Sequence, residues 1–364
     1  MAAAGANGSR FVRACLRLPV DRTPVWFLRQ AGRYMPEYMA VRKHHSLLEI
    51  CRTPEIAAEV TVTAAERLGV DAAIIFADLL LPFTPMGLDF EFVANEGPRI
   101  HAPIRTAAQA RALRTDRTDE LLYVSRAIEK VAAHFATPRG DGDQLGIIGF
   151  CGAPFTLASY MIEGGSSRNY IETKRLMYAS SAAEADRSAG GEQLSQAWPI
   201  LMEKLLTVLT DYAAQQVAAG ADVIQVFDSW VGALSPIDYA AYALAPTMEL
   251  IRRIQAMGVP VIYFGVDTAS LLPLMRTTGA DVLGLDWRTP LDQAWRTLDY
   301  AVAVQGNLDP VTLFAPPEVL QARVAKILIQ AAGRPGHIFN LGHGIVPNTP
   351  VDAVLQVVRQ IKSL

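Results

Sequence analysis

Apolar, largely β-branched runs alternate with helix-period segments along the chain. The runs at 25–28, 72–76, 145–150, 223–227, 259–264, 282–285, 301–304 and 337–340 predict strands. Between them Pro54–Leu68, 194–219, 236–257 and Pro317–Ala331 show helical periodicity. Three of these open on proline, whose missing N–H is not needed in a first turn. Strands that are apolar on both faces belong to a parallel sheet covered by helices on each side. Eight of them with helices between predict an α/β fold, a single (β/α)8 TIM barrel over 10–364. An open doubly wound sheet is the alternative that the pattern leaves standing. Residues 87–100 are expected to form a small inserted hairpin turning at Asn95-Glu96-Gly97-Pro98, and residues 1–9 a disordered extension.

Composition narrows the classes of function. With 51% hydrophobic and 19% charged residues and a formal charge of −3, there is ample apolar side chain for a large core. No block of like charges suggests a nucleic-acid tail or a basic membrane patch, so neither nucleic acid nor membrane is an expected partner. No apolar run reaches the roughly 18 residues of a membrane span. Three scattered cysteines (Cys15, Cys51, Cys151) read as free thiols in a reducing compartment, which predicts a cytoplasmic protein. Phosphate-loop, dinucleotide, HExxH and Cys-x-x-Cys motifs are all missing, so nothing points to nucleotide or metal chemistry.

In a barrel the chain carries function where it leaves each strand. The first run is followed by Arg29-Gln30-Ala31-Gly32-Arg33, the second by Asp78, the third by Cys151-Gly152-Ala153-Pro154. The fourth leads into Asp228-Ser229-Trp230, the seventh into Gln305-Gly306-Asn307, the eighth into Leu341-Gly342-His343-Gly344. Arg29 and Arg33 flank a small Ala31-Gly32 pair, and planar guanidinium forks suit carboxylates. Arg42 is a possible third cation; surface pairing with Glu37 or Glu49 is the plainer reading. Asp78 lies next to Leu79-Leu80-Leu81, where a carboxylate needs a partner, either a structural arginine or ligand N–H groups. Tyr160 sits on the helix opening at Pro154 and can point back to the rim or simply pack. His343, between glycines, suits carboxylate binding or proton transfer.

Two long stretches then resemble one family. Pro24-Val25-Trp26-Phe27-Leu28-Arg29-Gln30-Ala31-Gly32-Arg33-Tyr34-Met35-Pro36-Glu37-Tyr38 is similar to the N-terminal signature of uroporphyrinogen decarboxylases, and 149–165 resembles their second. Further blocks at 225–236, 284–290, 304–310 and 337–344 follow in the family order. The resemblance implies a (β/α)8 barrel, a homodimer, and no metal or organic cofactor. It implies conversion of the four acetate arms of uroporphyrinogen III to methyls, giving coproporphyrinogen III and carbon dioxide, in porphyrin and haem biosynthesis. Carried over, the substrate loop falls on Arg29, Gln30, Ala31, Gly32 and Arg33, with Arg42 beyond it. The central aspartate falls on Asp78, and the tyrosine, serine and histidine on Tyr160, Ser229 and His343. Asp78, Arg29, Tyr160 and His343 are the expected catalytic residues, Asp78 as the counter-charge to a protonated pyrrole. Arg29, His343 or a bound water is the expected acid. The chain departs from the family pattern at Met39, where arginine is usual, at Ser166 and at 266–269. The alternatives are a cobalamin- or coenzyme M-linked methyltransferase on the same barrel, which wants a zinc-binding His-x-Cys that is missing here, and a non-catalytic tetrapyrrole carrier.

Overall fold

A computed structural model describes residues 8–93, 97–138, 140, 142–181 and 196–363. Seven parallel strands form one curled sheet: β1 (Ala72–Ile74), β4 (Gly146–Gly152), β5 (Val223–Asp228), β6 (Val261–Gly265), β7 (Val282–Gly284), β8 (Ala303–Gln305) and β9 (His337–Ile338), paired in that order. The first run, 25–28, does not make a full strand. Residues 24–26 nevertheless lie between the two edges of the sheet. Phe339 N–H donates to Pro24 O (2.9 Å) and Trp26 N–H to Phe339 O (3.3 Å), while Asp71 N–H donates to Val25 O (2.8 Å) on the other side.

The strands are shorter than the apolar runs because side chains take over their backbone partners. Leu28 N–H donates to Asn340 Oδ1 (2.9 Å), which ends the pairing of the first run with β9. Phe76 N–H is met by the Thr61 hydroxyl (2.9 Å) from the Pro54–Leu68 helix, which ends β1. The run at 301–304 starts late because Asp299 and Tyr300 hold positive φ and Val302 O is taken by Trp295 Nε1 (2.8 Å). The segment expected as one helix over 236–257 is Pro236–Asp238, a wide π turn at Tyr239–Ala243, and Leu244–Gln255. Pro246 explains the break: it has no N–H to give to Tyr242 O, and a widened turn absorbs the lost bond.

The inserted hairpin is present as β2 (Phe90–Val93) against β3 (Gly97–Ile100), antiparallel, with Phe90 opposite Ile100. Its expected turn at 95–96 lies outside the described residues, as does the 1–7 part of the expected N-terminal extension; Ser9 caps the first helix, Arg10–Cys15. Ile100 N–H donates to Gly164 O (2.9 Å), and a Cβ on Gly165 would come within 2.6 Å of Pro98 O. The glycines after the Pro154–Glu163 helix therefore let the hairpin dock beside the barrel. Among the described residues no helix is long and apolar enough to cross a membrane.

Candidate active site

The loop after residue 28 is rigid. Gln30 N–H donates to Phe27 O (3.0 Å) and Phe27 N–H returns a bond to Gln30 Oε1 (3.2 Å). Gln30 Nε2 donates to Ala72 O at the start of β1 (3.0 Å), and the Tyr34 hydroxyl donates to Gln30 O (2.7 Å). Gln30, 1% exposed, is thus spent on holding the loop. That network fixes Arg29 at φ 61°, a conformation costing a non-glycine residue about 1–3 kcal/mol. The Arg29 stem lies over Gly344: a Cβ there would sit 2.5 Å from Arg29 Cδ.

The side chains of Arg29 and Arg33 are exposed, and neither makes a hydrogen bond or ion pair among the described residues. The surface partners that would have made them structural are engaged elsewhere. Glu37 faces Arg67 (3.5 Å), and Glu49 closes a capping box with Ser46. Ala31 and Gly32 complete the turn, with Gly32 O accepting Met35 N–H (3.0 Å). Arg42 stands apart: it donates to His45 O, and its charge acts on Tyr38 and Cys51. Met39 is 41% exposed on the same helix and touches none of this cluster's hydrogen bonds.

Asp78 lies four residues beyond the end of β1 and faces Arg29 electrostatically. Its carboxyl is pushed up by burial, while Leu80 N–H (2.9 Å to Oδ1) and the Arg29 charge pull it down. That backbone bond is its sole hydrogen bond among the described residues, which leaves lone pairs unmet. Part of its surface is open, so the group is closely surrounded yet still accessible. Tyr160 is half-buried beside it. Burial and the Asp78 charge raise its phenol to about 12, with the Trp230 indole and Arg29 acting the other way. Tyr160 and Trp230 meet edge to face, centroids 5.5 Å apart.

His343 completes the ring of groups. Burial, then Arg29, lower its pKa, and Arg288 adds to this against a backbone bond and Asp286. Its ring meets Trp287 edge-on at 6.2 Å. Ser229 is half-buried in the turn after β5, and no partner for its hydroxyl occurs among the described residues. Arg29 therefore acts on Asp78, Tyr160 and His343, and Asp78 on Tyr160.

Several neighbours escaped the sequence reading. Asp286 takes Arg288 Nη1 (2.9 Å) and Arg288 N–H (3.0 Å), and Arg288 stacks 4.2 Å over Trp287. A Cβ on Gly342 would fall 2.3 Å from Trp287 N, so this loop and the His343 loop are interlocked. The signal was available: these residues follow the run at 282–285, where the chain leaves a strand. Asp228, the last residue of β5, and Trp230 stand at the Asp228-Ser229-Trp230 step expected where the chain leaves the fourth run. Among the described residues no group of three or more His, Cys, Asp or Glu is arranged to hold a metal ion.

The family model for uroporphyrinogen decarboxylase (URO-D) matches residues 7–364. A uroporphyrinogen decarboxylase of Koribacter versatilis is 61% identical over 350 residues, 96% of this chain and 94% of that one. One of Chloroflexus aurantiacus is 50% identical over 359 residues, covering 97% and 95%. Among solved structures, a methyltransferase from Methanosarcina mazei superposes with a TM-score of 0.77 at 20% identity, covering 98% of this chain and 99% of that one. A B12-independent methionine synthase from Shewanella gives 0.55 at 9%, covering 99% and 97%. At such identities the likeness is one of fold.

Proposed function

Because the chain belongs to the uroporphyrinogen decarboxylase family, we propose that the cluster around Asp78 replaces the acetate carboxylates of uroporphyrinogen by hydrogen. The observation that carries this is a pair of unmet opposite charges. Asp78 keeps open lone pairs within the field of Arg29, whose guanidinium has no partner among the described residues. Pyrrole N–H groups would fill the first vacancy, and the carboxylate arms of the macrocycle the second.

A proton added at a pyrrole α-carbon makes that ring cationic. The bond to the acetate carboxylate then breaks, its electron pair flows into the ring and carbon dioxide leaves. A proton taken up at the exocyclic carbon and loss of the α-proton restore the pyrrole with a methyl group, one proton being consumed for each carbon dioxide released. Asp78 stabilises the cation more than the neutral ring, which is the differential binding that catalysis requires. Desolvation has already raised the energy of its charge, so the arriving cation recovers that cost. Arg29 and Arg33 grip the arms, with Arg42 further out and Ser229 bonding through its hydroxyl. Gln30, Ala31 and Gly32 shape the loop that presents them. Tyr160, a phenol at neutral pH, donates beside Asp78. His343, held neutral by burial and two arginines, is a poor acid at that pH and serves as a hydrogen-bonding group. The proton is delivered by water oriented by Arg29.

No cofactor enters these steps. We assign the same protein to the cytoplasm as a homodimer. Its three buried free thiols support the first assignment, and exposed Val311 and Phe314 on one short turn support the second. Anaerobic incubation with uroporphyrinogen, oxidation, and separation of the porphyrins by carboxylate number tests the activity. Stepwise loss of carboxylates is expected, and an unchanged substrate would leave a carrier instead.

A further inference from the structure

Asp228 ends β5 with its side chain fully enclosed. One carboxylate oxygen takes the Thr156 hydroxyl at 2.6 Å and the other the Tyr263 hydroxyl at 2.8 Å. These two arms lead in opposite directions. Among the described residues Tyr263 continues only to the buried Tyr239, whose hydroxyl is 3.3 Å away. Thr156 lies on the Pro154–Glu163 helix, one turn before Tyr160. Its oxygen also accepts the Trp230 N–H at 3.1 Å, and the Trp230 ring packs on Tyr160 and on Tyr170, centroids 5.5 and 5.8 Å away.

A hydroxyl has one hydrogen to give. With that hydrogen drawn to Asp228, the Thr156 lone pair is aimed at the backbone of Trp230. Without the carboxylate the hydroxyl would be free to turn to its own helix backbone, as threonines in helices commonly do. Packing alone does not call for an acid here. Burial raises the Asp228 carboxyl to about 6, with the Thr156 and Tyr263 hydroxyls acting against it, whereas an apolar side chain would fill the same space at no such cost. The carboxylate is met by two hydroxyls and, more weakly, by the Thr156 backbone N–H, and the Thr156 hydroxyl reaches the site.

We propose that Asp228 is a positioning residue for the reaction: through the Thr156 hydroxyl it fixes the Trp230 loop against the Tyr160 ring, and so places the phenol beside Asp78. This rests on the roles given above to Tyr160 and Asp78.

The test cuts the two arms separately. Thr156→Val keeps the shape and removes the link, Thr156→Ser keeps the link, and Tyr263→Phe removes the other arm. Each is measured by kcat and KM with uroporphyrinogen under anaerobic conditions. Each is also measured by Trp230 emission, read as the difference from the same protein carrying Trp230→Phe, which does not depend on turnover. Thr156→Val is expected to lower kcat about 10- to 100-fold with KM changed less than about threefold, and to shift the emission. Thr156→Ser should match the parent in both, and Tyr263→Phe should lower Tm while leaving kcat and emission in place. Thr156→Ala removes the same hydroxyl with less bulk and answers for Thr156→Val should that protein not fold. Unchanged emission on losing the hydroxyl overturns the proposal. So does an equal loss of kcat in Tyr263→Phe, which would make Asp228 a general support. Shifted emission with full kcat upholds the relay and overturns instead the role given to Tyr160.

Discussion

β1 has an aspartate near each end, seven positions apart, and the fold treats them in opposite ways. Asp71, just before the strand, is fully buried and saturated. It takes Arg22 at 2.8 Å on both oxygens, Arg10 Nη1 at 3.2 Å and Val25 N–H at 2.9 Å. Burial pushes its carboxyl up, but Arg22 and Val25 outweigh it and the net shift is downward. Asp78, beyond the other end, receives one backbone N–H, and its net shift is upward. The arginines differ in step: Arg10 and Arg22 are locked into ion pairs, Arg29 and Arg33 into none among the described residues. Charge that is satisfied internally holds a fold together. Charge that a rigid frame leaves unsatisfied is available to a ligand.

Exchanging the two aspartates for uncharged residues should separate these uses. Asp71→Ala takes the two-pronged partner from Arg22 and one of three carboxylates from Arg10, and urea unfolding should show a loss of about 3–5 kcal/mol, with normal kcat in whatever remains folded. Asp78→Asn should instead lower kcat by about 100- to 1,000-fold with Tm unchanged or raised. Full activity in Asp78→Asn would end the electrostatic account. At the periphery, Arg29→Lys keeps the charge and loses the fork, and kcat/KM should fall by about 10-fold or more. His343→Gln should cost less than Arg29→Lys at neutral pH, because the imidazole there is already neutral; the reverse order would make His343 the acid.

The subtlest difference is in pH dependence. Asp71 has a lowered folded pKa, so its stabilisation is complete above the unfolded value of about 3.9 and disappears as pH falls through the folded one. Asp78 has a raised folded pKa, so its ionisation weakens the fold above that pKa, and the penalty vanishes as pH falls below about 3.9. Unfolding midpoints measured across the mildly acidic range should therefore show the parent gaining on Asp78→Asn as the solution is acidified. A parallel pair of curves would mean that Asp78 is not strained.

Much of this was legible before any coordinates. Eight apolar runs located seven strands and the bridging segment, and the segments where the chain leaves them include Asp78 and His343, both within the field of Arg29. What stayed hidden depends on tertiary partners. Gln30 sits between candidate ligand contacts in sequence, yet its amide is used by Phe27 and Ala72. Asn340 reads as the last residue of a strand, but its side chain caps Leu28 and cuts the ladder short. Asp286-Trp287-Arg288 lies in the block 284–290 without a motif that gives its side chains a role, and the contact with His343 is what brings it to the site. The two aspartates around β1 look alike as letters; which one is neutralised is decided by arginines 49 and 61 residues away from Asp71.

The seat of Arg29 over Gly344 joins an early loop to one of the last turns of the chain. A ribosome making this protein must therefore extrude nearly all of it before the Arg29 stem has its seat, although the Gln30 bonds that hold the loop need nothing later than Ala72.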